Sequence, residues 1–240
     1  MWTALGLREA ADRKTRVAPA DGNIAGAEVT AWHLNLRAGA WIMKTPVALF
    51  VILAGVLMDS VIRLFLTFSS SYFRIIAIPE VAFGLIGAAM GGLGLVISPV
   101  ARRMVAANSL AKNYALLAVA VLLGLLGVAA RWTHGGLLFI LPLAGAMMAL
   151  GYMVSYYLNA IVDSSQRATV LSFKGVFFNL GYGFISLIFA LVLRAVRDGG
   201  SAQEAVARGL VFLPIWLLFG VLICAFIFRR HHKLLSASVG

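Results

Sequence analysis

Six runs of apolar residues, at 46–69, 81–99, 114–130, 136–158, 169–193 and 210–228, dominate the sequence. Each is long enough to cross about 30 Å of hydrocarbon as a helix. In lipid an unpaired backbone amide is costly, so a spanning run has to close its own hydrogen bonds as an α-helix. The sequence therefore predicts an all-α integral membrane protein with six transmembrane helices. Composition agrees: 62% of the residues are hydrophobic and only 12% charged, whereas about a quarter are charged in an ordinary soluble domain. The expected organisation is a cytoplasmic leader over 1–44, a six-helix domain over 45–230 and a cytoplasmic tail over 231–240.

The net charge of +11 would suggest nucleic acid if the chain were soluble. Here the basic residues sit between apolar runs, which is the pattern of the positive-inside rule. With the amino end inside, Arg8, Arg13, Lys14, Arg16, Arg37, Lys44, Arg102, Arg103, Lys112, Arg167, Arg229, Arg230 and Lys233 fall on inner segments. Only Arg74, Arg131, Arg194, Arg197 and Arg208 fall outside. Both termini are thus expected in the cytoplasm of a plasma membrane, a bacterial inner membrane by this pattern. The partner implied is a lipid bilayer, with no nucleic acid. Leader residues 31–43, with Trp32, Leu34, Leu36 and Trp41, are expected to lie as a helix on the membrane surface.

Metal, cofactor and catalytic chemistry find no support. Cys224 is the single cysteine, so there is neither an internal disulfide nor a cysteine zinc site. His231 and His232 are adjacent rather than four apart, and read as solvated charge. No Walker loop, His-Glu-x-x-His motif or intramembrane Ser/His pair is present, so an enzyme is not expected.

The six runs differ in polarity. The third and sixth are almost wholly Leu, Val, Ala, Ile and Phe and can face lipid all round. The second carries Gly84, Gly87, Gly91, Gly94 and Ser98 at steps of three and four, a small-residue seam that lets another helix approach closely. The first, fourth and fifth carry polar groups. The most apolar run thus comes third in each set of three, which suggests a three-plus-three repeat.

Asp59 and Arg63 stand one turn apart near the middle of the first run, on a stripe with Gly55 and Thr67. A charge at bilayer depth costs about 2.5–3.5 kcal/mol on insertion scales, so such a pair marks either a solute or coupling site or a self-neutralising structural ion pair. In the fourth run Tyr152, Tyr156, Asn159 and Asp163 share one face and offer ring surface with hydroxyl and amide groups, as solute lining or as an interfacial belt. Asp163 and Arg167, four apart, read as a gate or capping pair. Lys174 is expected to snorkel to the inner interface, Asn179 and Tyr182 to hydrogen-bond across helices, and Glu80 to complement a helix dipole.

Three segments resemble the carboxyl-terminal half of a major facilitator superfamily transporter over roughly residues 30–233. They are Leu57-Met58-Asp59-Ser60-Val61-Ile62-Arg63, Pro79-Glu80 with Phe83-Gly84-Leu85-Ile86-Gly87, and Arg167-Ala168-Thr169-Val170-Leu171-Ser172 with Asn179-Leu180-Gly181. The resemblance implies that the first and fourth helices line a central cavity, the second and fifth face the other half, and the third and sixth face lipid. It implies secondary transport of a small solute by alternating access, with a second six-helix half as partner. The family's loop signature after the second helix is met by Gly94, Arg102 and Arg103 as gating candidates, but Ser98 stands where its acid would be. The alternative is a non-transporting six-helix scaffold or regulator.

Overall fold

The computed structural model describes residues 38–236 apart from Ser165 and Asp198, so most of the leader and the end of the tail lie outside the description. Six helices are long and apolar enough to cross a membrane, and no strand occurs among the described residues. They are α1 (Pro46–Thr67), α2 (Phe83–Ala107), α3 (Leu110–Ala129), α4 (Ile140–Ile161), α5 (Arg167–Val196) and α6 (Phe212–Phe228). The chain is therefore an all-α, multi-pass membrane protein.

Local chemistry accounts for the helix ends. Pro46 opens α1, where a missing N–H leaves no intrahelical bond unmade. Ser109 caps α3 by accepting from the Lys112 amide. Pro99, expected to end the second helix, lies inside α2, which continues past Arg102 and Arg103 to Ala107. Neighbouring helices and local backbone adjustment can absorb one lost amide donor in a membrane helix. The short helix Ala202–Gly209 precedes α6 and is closed by a reciprocal capping box between Ser201 and Glu204. Residues 38–44 are helical, and Gly39 packs against Phe173 of α5.

The connections segregate to two ends, as six alternating crossings require. At one end the His134 amide donates to the Ile76 carbonyl at 2.9 Å, and the helices Ser69–Ile75 and Ala202–Gly209 pack together. At the opposite end Asn108, Asn113 and Tyr157 share a network, and the helix His232–Ser236 packs on α3.

Helices α1 and α4 cross at the centre. The main neighbours of α1 are α4, α5 and α6, whereas those of α4 are α1, α2 and α3. Exchanging the first three helices for the last three maps this pattern onto itself, the relation expected of a three-plus-three repeat. The core between them holds Val61, Ile62, Phe65, Leu143, Leu150 and Met153 at near-zero exposure. By contrast, α2 buries only Ala101 and Val105, and α5 only Val170, Phe178, Ile185 and Phe189. Both flank the centre and leave wide apolar faces uncovered.

Candidate functional site

Asp59 is the only acidic residue within α1–α6. It lies thirteen residues into α1, about 20 Å from the helix start at 1.5 Å per residue. Helical periodicity alone brings Arg63 beside it. Its Nη2 donates to Asp59 Oδ1 at 2.9 Å and stands 2.7 Å from Oδ2. That second contact is electrostatic rather than a hydrogen bond, because Oδ2 lacks an aligned donor. The two side chains differ in surroundings: 5% of Asp59 is exposed against 32% of Arg63.

α5 supplies the rest of the cluster. Arg63 Nη1 donates to Asn179 Oδ1 at 3.0 Å, and the guanidinium lies 5.5 Å from the centre of the Tyr182 ring, within cation–π range. Thr67 donates its hydroxyl to the Arg63 carbonyl at 2.9 Å. Thr67 thereby uses its one proton, so the 3.0 Å contact between Tyr182 and Thr67 has the tyrosine as donor. The expected cross-helix hydrogen bonds of Asn179 and Tyr182 are thus present, and both go to the charged stripe of α1. The stripe opens along its length, from buried Asp59 through half-buried Arg63 to exposed Thr67.

Lys174 departs from expectation. Instead of turning back to the interface, its Nζ donates to Ser155 Oγ of α4 at 3.3 Å and lies 5.8 Å from the Phe178 ring centre. It is close enough to Asp59 for the two charges to act on each other. A neighbouring hydroxyl, an aromatic face and a carboxylate's field offset the cost of leaving water, which snorkelling would otherwise avoid. The polar face therefore spans α1, α4 and α5.

On α4, Tyr152 stacks on Tyr156 at 6.2 Å, and Tyr156 meets Tyr157 edge-on at 5.4 Å. Asn159 keeps a buried Oδ1 without a partner, while its backbone carbonyl accepts from Arg167 at 3.3 Å. Arg167 forms no ion pair with Asp163, which is exposed just beyond the end of α4. The ion pairs among the described residues are Asp59–Arg63 and Arg74–Glu80. Glu80 thus holds Arg74 at 2.7 Å besides starting a helical turn. Arg102 and Arg103 are exposed near the end of α2, with no side-chain bond among the described residues. A side chain at Gly94 would touch Met148, but one at Gly84, Gly87 or Gly91 would meet nothing among the described residues.

Two features escaped the sequence. Asn113, fully buried, donates to the Tyr157 hydroxyl at 2.7 Å and to the Met104 carbonyl at 3.0 Å. Its position one turn into an apolar helix is the signal that could have flagged it. A cavity of about 620 Å³, lined by Ser71, Arg74, Arg194 and Arg197 among others, lies near the end of α5 opposite Lys174 and apart from the polar face. It joins loop-proximal residues at solvent-exposed arginines, whereas the face on α1, α4 and α5 holds the sole intramembrane acid. No protein-family model, curated protein or solved structure matches the chain.

Proposed function

We propose that this chain is one six-helix half of a secondary transporter of the major facilitator type, moving a small solute by alternating access. The observation that carries the reading is the charged face of Asp59, Arg63 and Lys174, shared by α1, α4 and α5 and left open on one side. Charges at bilayer depth are kept where they face a water-filled path or a partner rather than lipid. The exposed flanks of α2 and α5 beside that face suit a second six-helix half, either in the same gene product or in another chain. Rocking of two such halves would open the face to alternate sides. The distribution of basic residues favours both termini in the cytoplasm and a bacterial inner membrane as the location. The roles follow from position: Asp59, Arg63, Thr67, Tyr152, Tyr156 and Asn159 bind or couple, and Arg102, Arg103, Asp163 and Arg167 act near the inner mouth.

The test is an uptake and efflux screen on the complete transporter, with Asp59→Asn as the control. The wild type is expected to move at least one small solute, and the variant to reach the membrane in equal amount with transport lost or uncoupled. A double variant, Asp59→Asn with Arg63→Gln, that expresses normally and transports at the wild-type rate would overturn the reading.

A further inference from the structure

Among the described residues Lys174 forms no ion pair, and the nearest anionic influence on it is the field of Asp59. Asp59 itself is already committed to Arg63. Its one hydrogen bond goes to Ser155, whose own proton is used on the Gly151 carbonyl. An ammonium has three donors, so two remain unspent. The face therefore holds two fixed cations and one fixed anion. An unbalanced charge away from water is expensive to maintain, and an incoming anion relieves that cost. Tyr152 and Tyr156, both half-buried, flank Ser155 in the α4 sequence and stack on each other, so they offer ring surface and hydroxyls on the helix that receives the ammonium.

We propose that Lys174 is the anion-binding position of this face, and that the solute is an organic anion bearing a carboxylate or phosphate group. Resting on the transport reading, this names the substrate class. The anion docks on Lys174 and the open side of Arg63, with its body against the two tyrosines. Asp59 opposes it and keeps binding weak enough for release. A lipid headgroup is the poorer occupant, because the ammonium is turned toward Ser155 within the face rather than to the helix end.

The experiment places the full chain in nanodiscs of phosphatidylcholine, a zwitterionic lipid that adds no net anion. Its lysines are dimethylated with isotope-labelled formaldehyde, which preserves their charge, and followed by NMR. The chain has only Lys14, Lys44, Lys112, Lys174 and Lys233, and the Lys174 resonance is assigned by its loss in Lys174→Gln. Sodium acetate is expected to shift that resonance saturably, whereas neutral acetamide should not move it. Asp59→Asn should tighten acetate binding by about tenfold, because one repelling charge on the same face is removed. Where that single variant folds poorly, Asp59→Asn with Arg63→Gln restores the original net charge and should still bind acetate saturably at Lys174, though more weakly than Asp59→Asn alone because the Arg63 contact is gone. A folded chain whose Lys174 signal ignores acetate overturns the proposal. Since binding requires no translocation, that result would leave transport of a neutral or cationic solute untouched.

Discussion

Replacing Arg63 with glutamine strands Asp59, and replacing Asp59 with asparagine strands Arg63, yet the two losses are unequal. Asp59 is 5% exposed and its only charged hydrogen-bond donor is Arg63. Removing that partner leaves a buried carboxylate with no hydrogen-bonded cation and only the field of Lys174 to oppose it, and breaking a buried pair costs about 3–5 kcal/mol. Arg63 is 32% exposed and retains Asn179 at 3.0 Å and the Tyr182 ring at 5.5 Å. Asparagine at 59 can also still accept from Nη2. With solvent screening the pair, the loss should be about 1–2 kcal/mol. Arg63→Gln should therefore destabilise the bundle by roughly 2 kcal/mol more than Asp59→Asn. The double variant should fall below the sum of the singles, because neither member of the pair is left facing an empty partner position. The assay is reversible unfolding in mixed micelles of dodecyl sulfate and dodecyl maltoside, followed by tryptophan fluorescence. Equal losses in the two single variants, or a larger loss for Asp59→Asn, would refute the argument from unequal burial.

Gly181→Leu should destabilise the isolated chain by about 1–3 kcal/mol through overpacking, since a side chain there meets Val56. Gly87→Leu should leave the same micelle unfolding curve unchanged, because nothing lies within 4 Å of that position, and should weaken only association with a second half. Asn113→Leu should cost about 1–3 kcal/mol, read from the same curve, because it leaves the Tyr157 hydroxyl buried and without its partner. A reporter active only outside the membrane should be silent when fused to Gly240 and active when fused within the 76–80 turn. The opposite pattern would reverse the orientation.

The sequence by itself determined the number of membrane helices, their polarity ranking and the Asp59–Arg63 pair. These depend on runs of about twenty residues and on a spacing of four, both of which the helix imposes locally. Boundaries were less legible: helix continues through Pro99, and a capped amphipathic turn of chain comes before α6. In the former, packing and backbone adjustment override a local signal; in the latter, the Ser201–Glu204 signature was present but lay outside any apolar run. Tertiary structure alone decided which charges meet which partners. Asn179 stands 116 residues from Arg63, and Lys174 chose Ser155 on another helix over the membrane surface. The same holds for Asp163 and Arg167, which are correctly spaced for an ion pair but separated by the turn between α4 and α5, where no single helix keeps them in register. The glycine seam of α2 makes the point from the other side. Periodicity shows that its residues share a face, but only the arrangement of the neighbouring helices shows that most of that face is left uncovered. Spacing along one helix is a property of backbone geometry, whereas contact between helices depends on how several apolar surfaces are buried at once.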